Sequence, residues 1–367
     1  MRRLLLWLLA LVCVLGAMPA AQGLARRRAP QPPPPTVPPP PPPPRAWVVV
    51  DDDTGAVIEA GNEHQPMLPA SVSKILTALV AVQQLPPDAE VPVSPVAQGM
   101  PARNMNMKIG QTWKFDDVLH ALLMVSANDA AVAIAERVAG SRENFSAVMA
   151  RTAQRLHMQD NPVLNDPAGL DDEFSVGGGN RISAFDLAVA TRAAMAVDQV
   201  RAVVATQVYR FRGPDNNDHR LLNHNLMLKT YPGAIGVKTG YTRHAGHSLI
   251  AAATRDGRTM ISVVLNAPDP DHFSTGLLDK GFATPLAAEA AMEHLPVIVP
   301  NASLDPAASP AATLARTPTA QAVGPQAAPD DSTDYARQFG WVGLAVIPIS
   351  LLLLRHRLTR RRRYLFR

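Results

Sequence analysis

Three short groups of residues in this chain have the types and spacing to do nucleophilic chemistry. The first is Pro69-Ala70-Ser71-Val72-Ser73-Lys74, which runs directly into the apolar stretch Ile75 to Val80. Ser71 and Lys74 stand three apart, so a helix starting here stacks their side chains on one face. A serine hydroxyl is a weak nucleophile until a neighbouring base takes its proton. An amine one turn away is such a base when burial or a second cation keeps it neutral. Ser71 would also lie in the first turn, where unpaired N–H groups and the helix dipole favour developing negative charge. Alone, the motif is better explained as a capping serine beside a solvated lysine.

The second group is Ser126-Ala127-Asn128, a hydroxyl and an amide two residues apart in a break between helical segments. Such a pair can pass a proton and hydrogen-bond a substrate amide. The third is Val237-Lys238-Thr239-Gly240. As an edge strand it offers backbone groups to an extended peptide. Lys238 and Thr239 offer donors to a carboxylate, and Gly240 permits close approach. Each has a plain alternative: a helix-interrupting cap for Ser126, a solvated strand lysine for Lys238. Together they are harder to dismiss. With fifteen serines and six lysines in 367 residues, a Ser-x-x-Lys arises in about a quarter of such chains and Lys-Thr-Gly in roughly one of sixty. All three in this order arise by chance on the order of a few times in ten thousand.

Positioning these groups calls for both sheet and helix. Ala46 to Val50 and Ala56 to Ala60 read as strands around the Asp53-Thr54-Gly55 turn. Helices are predicted from Ser71 onward, over Leu119 to Val138 with a polar interruption at Ser126 to Asp129, over Phe145 to Met158, and over Ala184 to Ala196. Leu249 to Thr254 and Thr259 to Leu265, joined by Arg255-Asp256-Gly257, predict a second hairpin. Phe273 to Phe282 predicts a closing helix. Gly177-Gly178-Gly179-Asn180 reads as a flexible loop; strand-turn-helix spacing does not follow it, so it is not read as phosphate-binding.

The ends of the chain differ from its middle. The net charge is +4, but five arginines precede residue 30 and seven follow residue 354. Without those twelve, 23 basic residues face 31 acidic ones, about −8, and no basic face for nucleic acid is evident. Residues 1–25 have the charged start Arg2-Arg3, the apolar run Leu4 to Leu15 and the small-residue region Ala17-Met18-Pro19-Ala20 of a secretory signal. An uncleaved anchor is the alternative, but the run is short for a bilayer. Cys13 is the only cysteine and falls inside that run, so the mature chain is expected to have no disulfide. Residues 26–44 form a proline-rich spacer, extended at ~3.1 Å per residue, and the domain that carries the motifs is expected over 45–299. Residues 300–338 are an Ala/Pro-rich linker with little that could form a core. An apolar segment at 339–355 reads as a transmembrane helix, followed by a basic tail at 356–367. The sixteen residues from Phe339 to Leu354 reach only ~24 Å against a ~30 Å hydrocarbon core. Arg337, Trp341 and Arg355 are placed to snorkel or anchor at the interfaces. The basic tail predicts a cytoplasmic C-terminus and a domain on the extracytoplasmic side.

The ordered set of motifs resembles that of penicillin-binding proteins and β-lactamases, with Ala127 where aspartate often stands. Over about residues 45 to 285 the chain resembles one family in particular, the low-molecular-weight penicillin-binding proteins that are serine D-alanyl-D-alanine carboxypeptidases (peptidase family S11). Beyond the motifs, the resemblance rests on Asn165-Asp166-Pro167-Ala168-Gly169-Leu170-Asp171, Ser183-Ala184-Phe185-Asp186-Leu187-Ala188 and Asn223-His224-Asn225. Gly236-Val237-Lys238-Thr239-Gly240-Tyr241-Thr242 with Ala245-Gly246 is especially close. Ala127 fits the carboxypeptidases better than class A β-lactamases.

The resemblance implies an α+β, β-lactamase/DD-peptidase-like fold: an antiparallel sheet flanked by helices, plus a helical subdomain, with the site between them. It implies that Ser71 attacks the carbonyl between two D-alanines of a peptidoglycan stem peptide, that Lys74 takes its proton, and that Ser126 relays it toward the leaving amine. Asn128 would bind substrate, Lys238 and Thr239 would hold the terminal carboxylate, and Gly240 would allow close approach. The backbone N–H groups of Ser71 and Tyr241 would form the oxyanion hole. β-Lactams would be covalent inhibitors, and no cofactor is implied. No metal is expected, since His219, His224, His244 and His247 lack ligand spacing. Many relatives continue into a β-rich domain; low-complexity sequence follows here, so no second folded domain is expected. Two alternatives stand beside this reading. One is a serine β-lactamase, with Glu173 as the candidate deacylating carboxylate. The other is a wall-binding protein with an inactive site, although no motif residue is missing.

Overall fold

The computed structural model describes residues 42–297. The expected signal segment, linker, transmembrane segment and basic tail lie outside the described residues, as does most of the proline-rich spacer. No helix among the described residues is long and apolar enough to cross a membrane.

Strands β1 (Ala46–Asp51) and β2 (Val57–Gly61) pair antiparallel, with Trp47 opposite Gly61 and Val48 opposite Ala60. Their turn closes because the Asp51 carboxylate accepts from the amides of Asp53 at 2.9 Å and Thr54 at 3.1 Å, the local bonding that suits aspartate to turns. A short 3-10 turn, Ala70–Ser73, leads into α1 (Lys74–Val82), whose residues from Lys74 to Ala81 are all buried. A helix that is apolar all round needs cover on every side. Around it come β3 (Glu90–Pro92), α2 (Pro95–Gln98), β4 (Thr112–Lys114), α3 (Phe115–Met124), α4 (Asn128–Ala139) and α5 (Arg142–Arg155). Helices α3, α4 and α5 pack directly on α1.

The chain then forms α6 (Ala184–Met195), α7 (Asp198–Ala205), the hairpin β5 (Val208–Arg212) and β6 (Asp218–Leu222), and the short α8 (Met227–Thr230). Strands β7 (Ala234–Thr242), β8 (Gly246–Arg255) and β9 (Arg258–Ala267) follow, closed by α9 (Pro270–Ala283) and α10 (Leu286–Glu289). Five strands make one antiparallel sheet in the order β2-β1-β9-β8-β7. Strand side chains alternate between faces. Val48, Val50, Ile250, Ala252, Ile261 and Val263 enter the main core shared with α1 and α6, while Val49, Leu249, Ala251, Met260 and Val264 lie under Leu277 and Leu278 of α9. Removing each of those leucines from water contributes about 1.5–3 kcal/mol. Cover on both faces explains why β8 and β9 read as continuous apolar runs. Asp256 and Gly257, with φ of 50° and 79°, make the two-residue turn between them, which Asp-Gly accommodates.

The α+β arrangement implied by the resemblance is the one found. Several details differ from the sequence reading, beginning with Ser71, which lies in the 3-10 turn while the α-helix starts at Lys74. The expected break at Ser126 to Asp129 is shorter, because α3 ends at Met124 and α4 already begins at Asn128. Asp129 sits in that first turn, where its carboxylate accepts from the amides of Ala130, Met105 and Met107. Helix α5 starts earlier than Phe145, at the Ser141 cap, whose hydroxyl accepts from the Asn144 amide at 3.0 Å. The β5–β6 hairpin has no counterpart among the predicted elements; its strands VYRFR and DHRLL are short, charged and mostly exposed, so no apolar run marks them, although Tyr209 and Phe211 alternate with more exposed neighbours.

Candidate active site

Strand β7 is a sheet edge and packs against the 3-10 turn that carries Ser71. The approach is close. A Cβ on Gly240 would stand 3.1 Å from the Ser71 amide nitrogen and 3.0 Å from that of Val72, so any side chain here would push strand and turn a few tenths of an ångström apart. Gly169 (φ 68°) touches the same turn, where a Cβ would fall 2.3 Å from the Ala70 carbonyl oxygen. Ser71, Ser126, Asn128, Thr239, Gly240 and Tyr241 line one cleft of about 230 Å³, together with Arg103 and Leu170. Ala70 (φ 53°) and Ser126 (φ 62°) hold left-handed backbone, at a cost of about 1–3 kcal/mol each. Both strained residues belong to the segments that bring hydroxyls to the cleft.

Lys74 is fully buried, and its Nζ lies within hydrogen-bond distance of three oxygens: Ser71 Oγ at 3.0 Å, Asn128 Oδ1 at 2.8 Å and the Ala168 carbonyl at 2.5 Å. The last two can only accept. The orientation of Asn128 is set by its Nδ2, which donates to the Pro101 carbonyl at 3.1 Å. A neutral amine has two N–H bonds and one lone pair. Asn128 and Ala168 claim the two hydrogens, which leaves the lone pair for the Ser71 hydroxyl. Burial lowers Lys74 to about 7, against a smaller opposing pull from the Asp166 and Asp129 carboxylates. The neutral form is therefore well populated at neutral pH.

The loop that supplies Ala168 is built by two residues that side-chain reading passed over. The Asp166 carboxylate accepts from the amides of Ala168 at 2.8 Å, Leu170 at 3.1 Å and Val176 at 3.1 Å. Asn180 Oδ1 accepts from the amides of Asn165 and Asp166, both at 2.8 Å, and its Nδ2 donates to Ser73 Oγ at 3.1 Å. The segment Gly177 to Asn180, read above as a flexible loop, thus ends in a buried anchor. The one sequence mark of this arrangement is Asp166 two residues before Ala168, the spacing of an aspartate turn.

Lys238 is placed differently from Thr239. It is buried, does not line the cleft, and donates from Nζ to the Thr239 carbonyl at 2.7 Å. Burial, and then the charges of Lys74 and Arg103, hold its amine well below the usual range. Thr239 itself faces the cleft. Glu173 is exposed and is not among the lining residues. Among the described residues, Glu63, His64 and Glu293 have ligand atoms within 4.8 Å of one another. That group lies outside the cleft lining, and His64 Nδ1 is bonded to the Asp160 carboxylate at 3.1 Å.

Residues 36–269 match the Peptidase_S11 family of D-alanyl-D-alanine carboxypeptidases. The chain belongs to that family. It is 30% identical over 238 residues to the D-alanyl-D-alanine carboxypeptidase DacF of Bacillus subtilis, which covers 63% of this chain and 60% of that protein. To DacB2 of Mycobacterium tuberculosis it is 33% identical over 213 residues, 58% of this chain and 71% of that one. A crystal structure of a D-alanyl-D-alanine carboxypeptidase from Mycobacterium tuberculosis superposes with a TM-score of 0.62 at 31% identity, covering 67% of this chain and 94% of that one. The similarity thus spans about 60% of the Bacillus family member's length and most of the solved one.

Proposed function

We propose that this protein is a serine D-alanyl-D-alanine carboxypeptidase that removes the terminal D-alanine from peptidoglycan stem peptides. The observation that carries the reading is the bonding of Lys74, whose two obligate acceptors leave a buried amine, neutral in about half of the molecules at pH 7, directed at Ser71 Oγ. In the first step Ser71 Oγ forms a bond to the carbonyl carbon between the two D-alanines as its proton passes to Lys74. The oxyanion is received by the backbone N–H groups of Ser71 and Tyr241. The carbon–nitrogen bond then breaks as the proton travels from Lys74 through Ser126 to the leaving amine. Water adds to the acyl-enzyme ester, its hydroxyl completing the new carboxylic acid and its proton returning to Ser71. Asn128 acts in orienting Lys74 as well as in facing substrate, and Lys238 acts from behind Thr239 at the carboxylate end.

β-Lactams enter the same first step, since opening their ring amide leaves the ester attached. The exposed position of Glu173 offers no support for class A deacylation, so the acyl-enzyme is expected to be long-lived. We further propose that the domain acts outside the cytoplasm, with residues 1–25 as its signal, 26–44 and 300–338 as spacers and 339–355 as its anchor. The test of the activity is D-alanine release from diacyl-L-Lys-D-Ala-D-Ala by the full-length protein and its Ser71→Ala variant. Release that disappears in the variant supports the enzyme and its nucleophile together. Rapid penicillin turnover without release would instead make it a β-lactamase.

A further inference from the structure

The steps above leave Arg103 unused. It is the one charged side chain among the described residues that line the cleft, where it joins Ser71 and Thr239. Its only side-chain partner among the described residues is His224: Nη1 contacts the ring at Nδ1 and lies 3.2 Å from Nε2. His224 is itself held, since its amide donates to the Met124 carbonyl at 3.0 Å. The neighbouring Asn223 donates from Nδ2 to the carbonyls of Val204 at 3.2 Å and Thr206 at 3.0 Å. Burial, with the charges of Arg103 and Lys238, lowers His224 to about 4, which keeps the ring neutral and able to accept from a guanidinium. On the other side the Arg103 carbonyl accepts from the Asn128 amide at 2.7 Å. Arg103 is therefore tied to the residue that orients Lys74.

A guanidinium has five N–H donors in a planar fork that matches a carboxylate. One nitrogen is used by His224, and its other donors meet no acidic side chain among the described residues. Lys238 is the obvious competitor for an anion. Its amine, however, is buried, donates to the Thr239 carbonyl and lies outside the cleft lining. An enzyme that trims chain ends must also recognise the one feature that sets an end apart, its negative charge. We propose that Arg103, beside Thr239, binds the terminal carboxylate of the substrate, and that His224 is the positioning residue that holds the guanidinium there. This rests on the carboxypeptidase reading above.

The test uses the full-length protein and two peptides, diacyl-L-Lys-D-Ala-D-Ala as the free acid and as the C-terminal amide, with product followed by chromatography. Arg103→Ala is expected to lower kcat/KM on the acid by about 10- to 200-fold, the range for a hydrogen bond to a charged group. On the amide it should change by no more than about twofold. Arg103→Lys should fall between, since an ammonium keeps the charge without the fork. His224→Ala should raise KM on the acid with little change in kcat, and His224→Asn, which keeps an acceptor, should restore it. Labelling of Ser71 by an uncharged β-lactone checks that each variant is folded and reactive. Equal loss on acid and amide, or no loss on either, overturns the proposal while leaving the carboxypeptidase intact. A wild-type protein that cleaves neither peptide removes the underlying reading and the proposal with it.

Discussion

Replacing Lys74 by arginine keeps a long cation beside Ser71 but removes any neutral base at working pH. The size of the effect follows from burial. An amine at its ordinary 10.5 is neutral in about one molecule of 3,000 at pH 7, whereas Lys74, lowered to about 7 by burial, is neutral in about half. The site thus holds roughly 1,500 times more base than an exposed lysine would. Acylation by a fluorescent penicillin, followed by gel or anisotropy, is expected to fall about a thousandfold in Lys74→Arg, within the usual reach of general-base catalysis. In the wild type the acylation rate should rise as pH rises through about 7, where the amine sheds its proton, and then level off. A profile flat from about pH 5.5 to 8.5 would refute the reasoning, as would a Lys74→Arg protein that acylates at the wild-type rate. A limb that persists in Lys74→Arg and vanishes in Lys238→Arg would move the base to Lys238. The same depression has a stability side. Between about 7 and 10.5 the unfolded chain binds more protons at this site than the folded one. Its contribution to stability therefore grows with pH across that window and is lost as pH falls through about 7.

Three further outcomes follow from the same geometry. Asp166→Asn removes a negative charge that favours protonated Lys74, so the limb of the acylation profile should move to lower pH; an upward move would contradict the electrostatics. Gly169→Ala places a Cβ 2.3 Å from the Ala70 carbonyl at a φ of 68°, and should cost about 2–4 kcal/mol in urea unfolding along with the activity. Glu173→Gln changes an exposed side chain outside the cleft lining, so the lifetime of the penicilloyl-enzyme should stay within about twofold. A lifetime that is short in the wild type and long in this variant would favour the β-lactamase.

Local periodicity accounts for what the amino-acid order determines by itself. Ser71 and Lys74 meet because helical geometry brings residues three apart to one face. The β8–β9 hairpin is legible because Asp256-Gly257 suits a tight turn and both flanking runs are buried on two faces. Gly240 is legible as a close-approach residue, although what it approaches is not. The rest depended on the packed molecule. Ala168 contributes a backbone carbonyl, which every residue carries alike, so nothing in its identity marks it. Arg103 and His224 stand 121 positions apart and meet only because the fold brings the segment between α2 and β4 against the turn after β6. Lys238 matched a carboxylate-binding motif, yet its amine turned out buried and bonded to its own strand. The state of Lys74 is the clearest case. Its position beside Ser71 is written in the order of residues, but its loss of a proton near pH 7 is set by desolvation, which belongs to everything packed around α1 rather than to any motif.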